Sequence, residues 1–154
     1  MATILYIATA IGLFIATQTN GDWEIIRHTL REKALTSIAV SEGVIIAGTK
    51  NGIWRSSDNG KSWHESNGRL SIRHARWIAS SSYTPMTFLI GTEPAGIFVS
   101  GDGGKKWSSK PEIDKLRDTK GWFLPYSPKA VWLKKHRFVM RNPFSYDILY
   151  FIAF

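Results

Sequence analysis

Basic and aromatic side chains cluster in one short segment, where Arg73, His74, Arg76 and Trp77 stand together. Positive charge beside an aromatic ring could bind an anion or a sugar, because the ring face and the cation offer complementary contacts. Glu93, in a predicted turn downstream, is the best single polar candidate for binding a ligand. The plainer interpretation, which the sequence favours, is a loop followed by the first residue of an inner strand.

Patterns that would indicate catalysis are weak. Glycoside hydrolysis needs two carboxylates about 5–10 Å apart, and no pair stands out among the 12 acidic residues. The four histidines show no metal-ligand spacing such as His-x-x-x-His. The absence of cysteine excludes disulfides, thiolate metal sites and a cysteine nucleophile. We therefore expect no catalytic residue, no metal and no cofactor.

A repeat organises the elements that must position these residues. Residues 45–63, IIAGTKNGIWRSSDNGKSW, and residues 89–107, LIGTEPAGIFVSGDGGKKW, share apolar residues, Gly-Thr, a short turn, Gly with two apolar residues, and Ser-x-Asp-x-Gly-x-x-Trp. In the last motif the Asp can accept amide hydrogen bonds, the Gly permits a positive φ and the Trp packs on the sheet. The motif is therefore expected to be a structural turn, with members Ser56, Asp58, Gly60, Trp63 and Ser100, Asp102, Gly104, Trp107.

A third, degenerate copy of the repeat fits the N-terminal stretch. Trp23 lies 40 residues before Trp63, and Gly12 with two apolar residues lies 40 residues before Gly52. Gln18 stands where the other copies have Asp, so this turn is expected to be degenerate.

A period of 40–44 residues is that of β-propeller blades. The two good motifs resemble Asp-box repeats, also called bacterial neuraminidase repeats, which mark sialidase-like and YVTN-like propellers. The resemblance covers residues 1–110, with a degenerate copy in about 1–30 and good copies in 31–70 and 71–110. It implies an all-β fold, a partial β-propeller of about three antiparallel four-stranded blades with Asp-box turns. In that family the boxes are structural, so Asp58 and Asp102 are carried over as turn residues only.

The N-terminus allows two interpretations. Residues 1–17 carry no charged side chain, which suits a secretory signal peptide in length but not in its leading charge. The stretch is too short and interrupted for a membrane span. The favoured alternative is two strands, over residues 3–9 and 13–17, with a turn between them. This alternative and the lack of cysteine predict a cytoplasmic protein.

The C-terminal part, residues 111–154, is expected to hold a short helix, a loop and the start of an incomplete blade. A helix is predicted within residues 109–118, with Pro111 near its start. Residues 121–130 suggest a packed loop, and residues 142–152 resemble the lead-in to another strand. Three and a half blades are fewer than a complete propeller has. We therefore expect a truncated chain, or one whose reading frame changes after Ala130.

Charge is concentrated towards the C-terminus. Residues 1–104 carry nine basic and eight acidic side chains, whereas residues 105–141 carry eleven and three. No recognisable nucleic-acid-binding module accompanies this basic region, so a nucleic acid is not expected as the partner.

The function expected from these observations is a non-catalytic scaffold for binding or assembly, with an unknown protein or carbohydrate as the partner. Self-association through open blade edges is a further expectation. Two alternatives stay open. One is a fragment of a sialidase-like exo-glycosidase, which would need an arginine cluster and a Tyr–Glu pair. The other is an assembly factor resembling the Asp-box photosystem II stability and assembly proteins, whose partner binding would weaken at high salt.

Overall fold

A computed structural model describes residues 3–121. This part of the chain forms eleven strands and one helix. They are β1 (Ile4–Thr9), β2 (Gly12–Thr19), β3 (Asp22–Thr29), β4 (Leu35–Ser41), β5 (Val44–Thr49), β6 (Ile53–Ser56), β7 (His64–Glu65), β8 (Ala75–Ser80), β9 (Phe88–Thr92), β10 (Gly96–Ser100), β11 (Ser108–Ser109) and α1 (Pro111–Lys120).

The strands form three antiparallel sheets, each in chain order. Sheet 1 is β1–β2–β3, sheet 2 is β4–β5–β6–β7 and sheet 3 is β8–β9–β10–β11. Successive sheets pack on one another, and the first strands of sheets 2 and 3, β4 and β8, lie side by side. In a propeller, consecutive sheets form the blades and their first strands lie next to one another at the centre. The fold is a partial β-propeller, which confirms the predicted fold class.

Two apolar clusters fill the spaces between the sheets. One joins sheet 1 to sheet 2 and is built around Leu13, Ile15, Ile38 and Ile45. The other joins sheet 2 to sheet 3 and contains the fully buried Trp107. Sheet 2 therefore has both faces covered, and all six residues of β5 are buried. This explains why the sequence of β5 is continuously apolar rather than alternating.

Sheet 1 has three strands where four were predicted. In the repeat, Thr9 corresponds to Thr49, and each threonine closes the turn that follows it. The Thr9 hydroxyl donates to the Gly12 oxygen (2.7 Å), and the Thr49 hydroxyl donates to the Gly52 oxygen (2.9 Å). Strands β1 and β2 are thus the equivalents of β5 and β6. Within residues 3–121, sheet 1 has no counterpart of the inner strands β4 and β8.

The N-terminal residues form strands, as the favoured interpretation predicted. Leu13 and Ile15 of β2 are 0% and 3% exposed, because they point towards sheet 2. The two strands pair in register from Ile4 opposite Thr17 to Thr9 opposite Gly12.

Helix α1 occupies the segment where a short helix was predicted. Pro111 stands in its first turn, and Gly121, in the left-handed conformation with φ 61°, caps its end by donating to the Arg117 oxygen. The helix buries none of its residues but contacts β10. The predicted loop at 121–130 and strand lead-in at 142–152 lie outside the described residues, apart from Gly121.

Candidate functional site

The antiparallel order of the strands divides the loops between two rims of the fold. One rim, called here the linker rim, carries the segments that join successive sheets and the turns β1–β2, β5–β6 and β9–β10. The opposite rim carries the turns β4–β5, β6–β7, β8–β9 and β10–β11. The predicted structural turns and the predicted ligand residues therefore lie at different ends of the sheets.

The β6–β7 turn is organised around the carboxylate of Asp58. Its Oδ1 accepts hydrogen bonds from the Ser56 hydroxyl (2.7 Å) and from the amides of Lys61 (3.0 Å) and Ser62 (2.9 Å), and its Oδ2 accepts the Ser62 hydroxyl (2.6 Å). The hydrogen bonds from Ser62, with that from Ser56, hold the pKa of Asp58 far below its ordinary value. A carboxylate engaged in this way has a structural task and is a poor proton carrier.

The β10–β11 turn repeats the same pattern 44 residues later. Asp102 accepts from the Ser100 hydroxyl (2.8 Å) and from the amides of Lys105 (2.9 Å) and Lys106 (3.0 Å). Desolvation alone would raise the pKa of Asp102, but the hydrogen bonds from Lys106, Ser100 and Lys105 outweigh it and lower the pKa. In both turns the serine hydroxyl also accepts a glycine amide at 2.8 Å, from Gly60 and Gly104 respectively.

Each of these two turns packs on the preceding sheet. A Cβ atom added at Gly60 would lie 2.7 Å from Cδ1 of Ile15, and one added at Gly104 would lie 2.4 Å from Cδ1 of Ile46. Trp63 is partly buried and Trp107 is fully buried. The turns therefore act as spacers between neighbouring sheets.

The N-terminal copy lacks such a turn. Strand β2 continues to Thr19, and Asn20 and Gly21, with φ of 54° and 93°, form a two-residue hairpin into β3. Asn-Gly suits this hairpin because both positions need a positive φ. Without an aspartate at position 18 no carboxylate organises a longer turn, and Trp23 stays 48% exposed.

The structure brings three of the five predicted ligand residues together at the linker rim. Arg76 forms an ion pair with Glu93, and the Glu93 amide donates to the His74 oxygen (2.9 Å). The buried Nε2 of His74 has no hydrogen-bond partner among residues 3–121. Burial, and next to it the charge of Arg76, lower the pKa of His74. Glu93 thus binds the Arg76 guanidinium through its carboxylate and the His74 backbone through its amide.

The other two predicted residues stand apart. Arg73 is exposed in the loop before β8. Trp77 lies opposite Gly91 in the sheet 3 register and is 47% exposed on a sheet face, away from the rim cluster. The predicted combination of charge with an aromatic plate is therefore not formed by Trp77.

A cleft of about 300 Å³ on the linker rim was missed by sequence reasoning. Lys33 holds its ammonium nitrogen 4.8 Å from the ring centre of Trp54, a cation–π contact. Asn67 is fixed beside it, since its Oδ1 accepts the Ile53 amide (2.8 Å) and its Nδ2 donates to Glu65 (3.1 Å). The residues that line the cleft are Glu32, Lys33, Ala34, Thr49, Lys50, Asn51, Trp54, Glu65 and Asn67. The sequence contained one signal for the cleft. Trp54 stands at the position that the buried Phe98 occupies in the next repeat.

Residues 3–121 contain no group of three or more potential metal ligands. Nor does this part of the chain hold a helix of sufficient length and apolarity to cross a bilayer.

Solved structures similar to this chain are β-propeller proteins. The structure described as YCF48 bound to D1 peptide matches over 70% of this chain with a TM-score of 0.52 and 18% identity. The nidogen/laminin complex matches over 69% with a TM-score of 0.53 and 14% identity. A GH74 enzyme of Niastella koreensis matches over 70% with 18% identity, and its TM-score of 0.42 adds nothing to the fold assignment.

The chain spans about two-fifths of the first two structures, 40% and 43% of their chains, and 17% of the third. No protein-family model matches the chain, and no curated protein matches it in sequence. The likeness therefore establishes the propeller fold.

Proposed function

We propose that this chain is a non-catalytic part of a β-propeller that binds a protein partner through the cleft of the linker rim. The observation that carries the proposal is the composition of that cleft. Its lining includes two cations, Lys33 and Lys50, two carboxylates, Glu32 and Glu65, the Trp54 ring and the amides of Asn51 and Asn67. Positive and negative side chains and amide groups around one aromatic ring suit a polypeptide segment. Such a segment offers amides, carbonyls and side chains of either charge.

Partner binding by similar folds supports the proposal. Two structures with TM-scores above 0.5 are described as YCF48 bound to a D1 peptide and as a nidogen/laminin complex. The Ser-x-Asp turns suit this role as rigid spacers, and we propose that they are Asp boxes of the neuraminidase-repeat type. An assembly factor of the kind that the sequence suggested is one form of this function, and the cytoplasm remains its proposed location.

A glycosidase is the second candidate, and one observation favours it. Glu32 and Glu65 both line the cleft that contains Trp54, and a carboxylate pair beside an aromatic ring is the composition of many sugar sites. The arginines do not support a sialidase-like site. Arg55 donates its Nε to the Gly103 oxygen (2.6 Å) and Arg76 is paired with Glu93, so the two are not gathered on one ligand.

Selection of peptides from a displayed random library by the 154-residue chain tests the proposal. Enriched peptides should bind the chain in calorimetry, and Lys33→Glu or Lys50→Glu should weaken binding at least about tenfold. Lys61→Glu and Lys105→Glu make the same charge change on the opposite rim and should leave binding unchanged. Failure to enrich any peptide, or equal losses in all four variants, would count against the cleft. Hydrolysis of fluorogenic sialosides or β-glucosides, abolished by Glu65→Gln, would instead support the glycosidase.

A further inference from the structure

Both outer faces of the three-sheet stack are apolar. On sheet 1, Phe14 pairs with Ile7 and Ala16 pairs with Ile25, and these side chains point away from sheet 2. Ile25 is 59% exposed, and Trp23 on the same face is 48% exposed. We call this surface face N. Contiguous exposed apolar side chains on a sheet face indicate a surface that another structure covers.

The outer face of sheet 3 has the same character. Leu89 lies between Ala79 and Val99, and Gly91 lies between Trp77 and Ile97, all on the side away from sheet 2. We call this surface face C. Helix α1 contacts β10, yet Trp77 is 47% exposed within the described part of the chain.

The repeat shows what each face is built to contact. Leu89 and Ile97 of face C correspond to Ile46 and Ile53 of sheet 2, which are 0% and 1% exposed because they pack on sheet 3. Face C is therefore the equivalent of a surface that, one repeat earlier, is covered by the next sheet.

Face N is the complementary surface. Phe14 corresponds to Trp54 of sheet 2 and Phe98 of sheet 3, which both face the preceding sheet. Phe98 is 1% exposed, whereas Phe14 is only partly buried and stacks on His28 with ring centres 4.0 Å apart. Face N is thus the equivalent of the surfaces that receive a preceding sheet.

We propose that face C of one chain packs on face N of a second copy, continuing the internal sheet-to-sheet contact between molecules. The interface is head-to-tail, because the two faces differ. Two copies joined at both pairs of faces place six sheets in one ring, within the four to eight blades of known propellers. The proposal goes beyond the partner-binding cleft, which lies on the rim and does not include either face.

Sedimentation equilibrium of the 154-residue chain over a range of concentrations tests the proposal. We expect a dimer. Ile25→Arg on face N and Trp77→Arg on face C should each give a monomer, because either change removes one partner from both interfaces. Ile11→Arg is the matched control, since Ile11 is 60% exposed in the β1–β2 turn and belongs to neither face. Far-UV circular dichroism checks that every variant keeps its strands.

Mixing the two monomeric variants separates a head-to-tail interface from a symmetric one. The Ile25→Arg chain keeps an intact face C and the Trp77→Arg chain keeps an intact face N, so an equimolar mixture should recover a dimer through one interface. A wild-type chain that stays monomeric would overturn the proposal and leave the faces to further repeats of a longer polypeptide. A dimer that is insensitive to one of the two variants, or a mixture that stays monomeric, would overturn it as well.

Discussion

The indole nitrogen of Trp107 donates a hydrogen bond to the backbone oxygen of Ser66 over 3.0 Å. The bond ties the β10–β11 turn of sheet 3 to the segment that follows β7 in sheet 2. The Ser66 hydroxyl in turn donates to the Gly104 oxygen of that turn. The equivalent tryptophan of the preceding repeat, Trp63, has a buried indole nitrogen with no hydrogen-bond partner among residues 3–121. The two sheet-to-sheet contacts are therefore unequal.

Replacing these two tryptophans with phenylalanine should reveal the difference. Trp107→Phe removes the hydrogen bond to Ser66 and leaves a cavity, so we expect a loss of about 2–3 kcal/mol in the free energy of unfolding. Trp63→Phe removes a donor that is already unpaired, and should cost less than about 1.5 kcal/mol. Urea unfolding of both variants measures the difference, and equal losses would contradict the role assigned to the Ser66 bond.

Gly104 should not tolerate a side chain. It has φ +80°, and an added Cβ would lie 2.4 Å from Cδ1 of the fully buried Ile46. Backbone strain and overpacking together should make Gly104→Ala about 2 kcal/mol less stable. Gly101→Ala, in the same turn, meets no atom within 4 Å and is the control. It should change stability by less than about 0.5 kcal/mol; a comparable loss would show that the turn tolerates no substitution at all.

Acid should destabilise the chain partly through Asp58. The pKa of this carboxyl is far below its ordinary value in the folded chain, chiefly because Ser62 donates to it. The stabilisation is complete above the unfolded pKa of about 3.9 and is lost as the pH falls below it. Asp58→Asn should therefore flatten the fall of the unfolding free energy between about pH 4 and 2. Asp22→Asn, an exposed change of equal charge in β3, is the control. The same flattening in that variant would contradict the assignment of the acid effect to Asp58.

The rim cluster should be visible in the titration of His74. Burial and the charge of Arg76 lower its pKa, while the charge of Glu93 raises it. Glu93→Gln should therefore lower the pKa of His74 further, and Arg76→Gln should raise it. Proton NMR of the imidazole C–H signals, assigned with a His74→Gln variant, measures both shifts. Shifts of the same sign in the two variants would show that His74 does not sense this ion pair.

The sheets could be predicted from the sequence because each repeat contains residues that mark where its strands begin and end. Gly-Thr ends one strand, Gly with two apolar residues begins the next, and the spacing sets the period. The form of the N-terminal turn could not be predicted from the repeat spacing. Asn20-Gly21 suits a two-residue hairpin only if β2 extends up to it, and the spacing does not show that extension.

The cleft was beyond sequence reasoning for a different reason. Lys33 and Trp54 are 21 positions apart and meet only because the segment between sheets 1 and 2 lies beside the start of β6. The different positions of Arg76 and Trp77 follow from a β-bulge that the sequence does not mark. The sheet 3 register shifts between Ala75 and Trp77, so Arg76 is the extra residue there and reaches Glu93, while Trp77 lies opposite Gly91 on a sheet face.

The complete burial of β5 has a consequence for how the chain opens. Its six residues are covered by a neighbouring sheet on each side, whereas sheets 1 and 3 each have one such neighbour within the described residues. In a stack held by nearest-neighbour contacts, amide hydrogens at the centre exchange only when the whole array separates, and those at the ends exchange through local fraying. In the monomeric Ile25→Arg or Trp77→Arg chain, where both outer faces are uncovered, deuterium should therefore enter β3 and β10 early and β5 last, which would mark the middle sheet as the most stable part of the array.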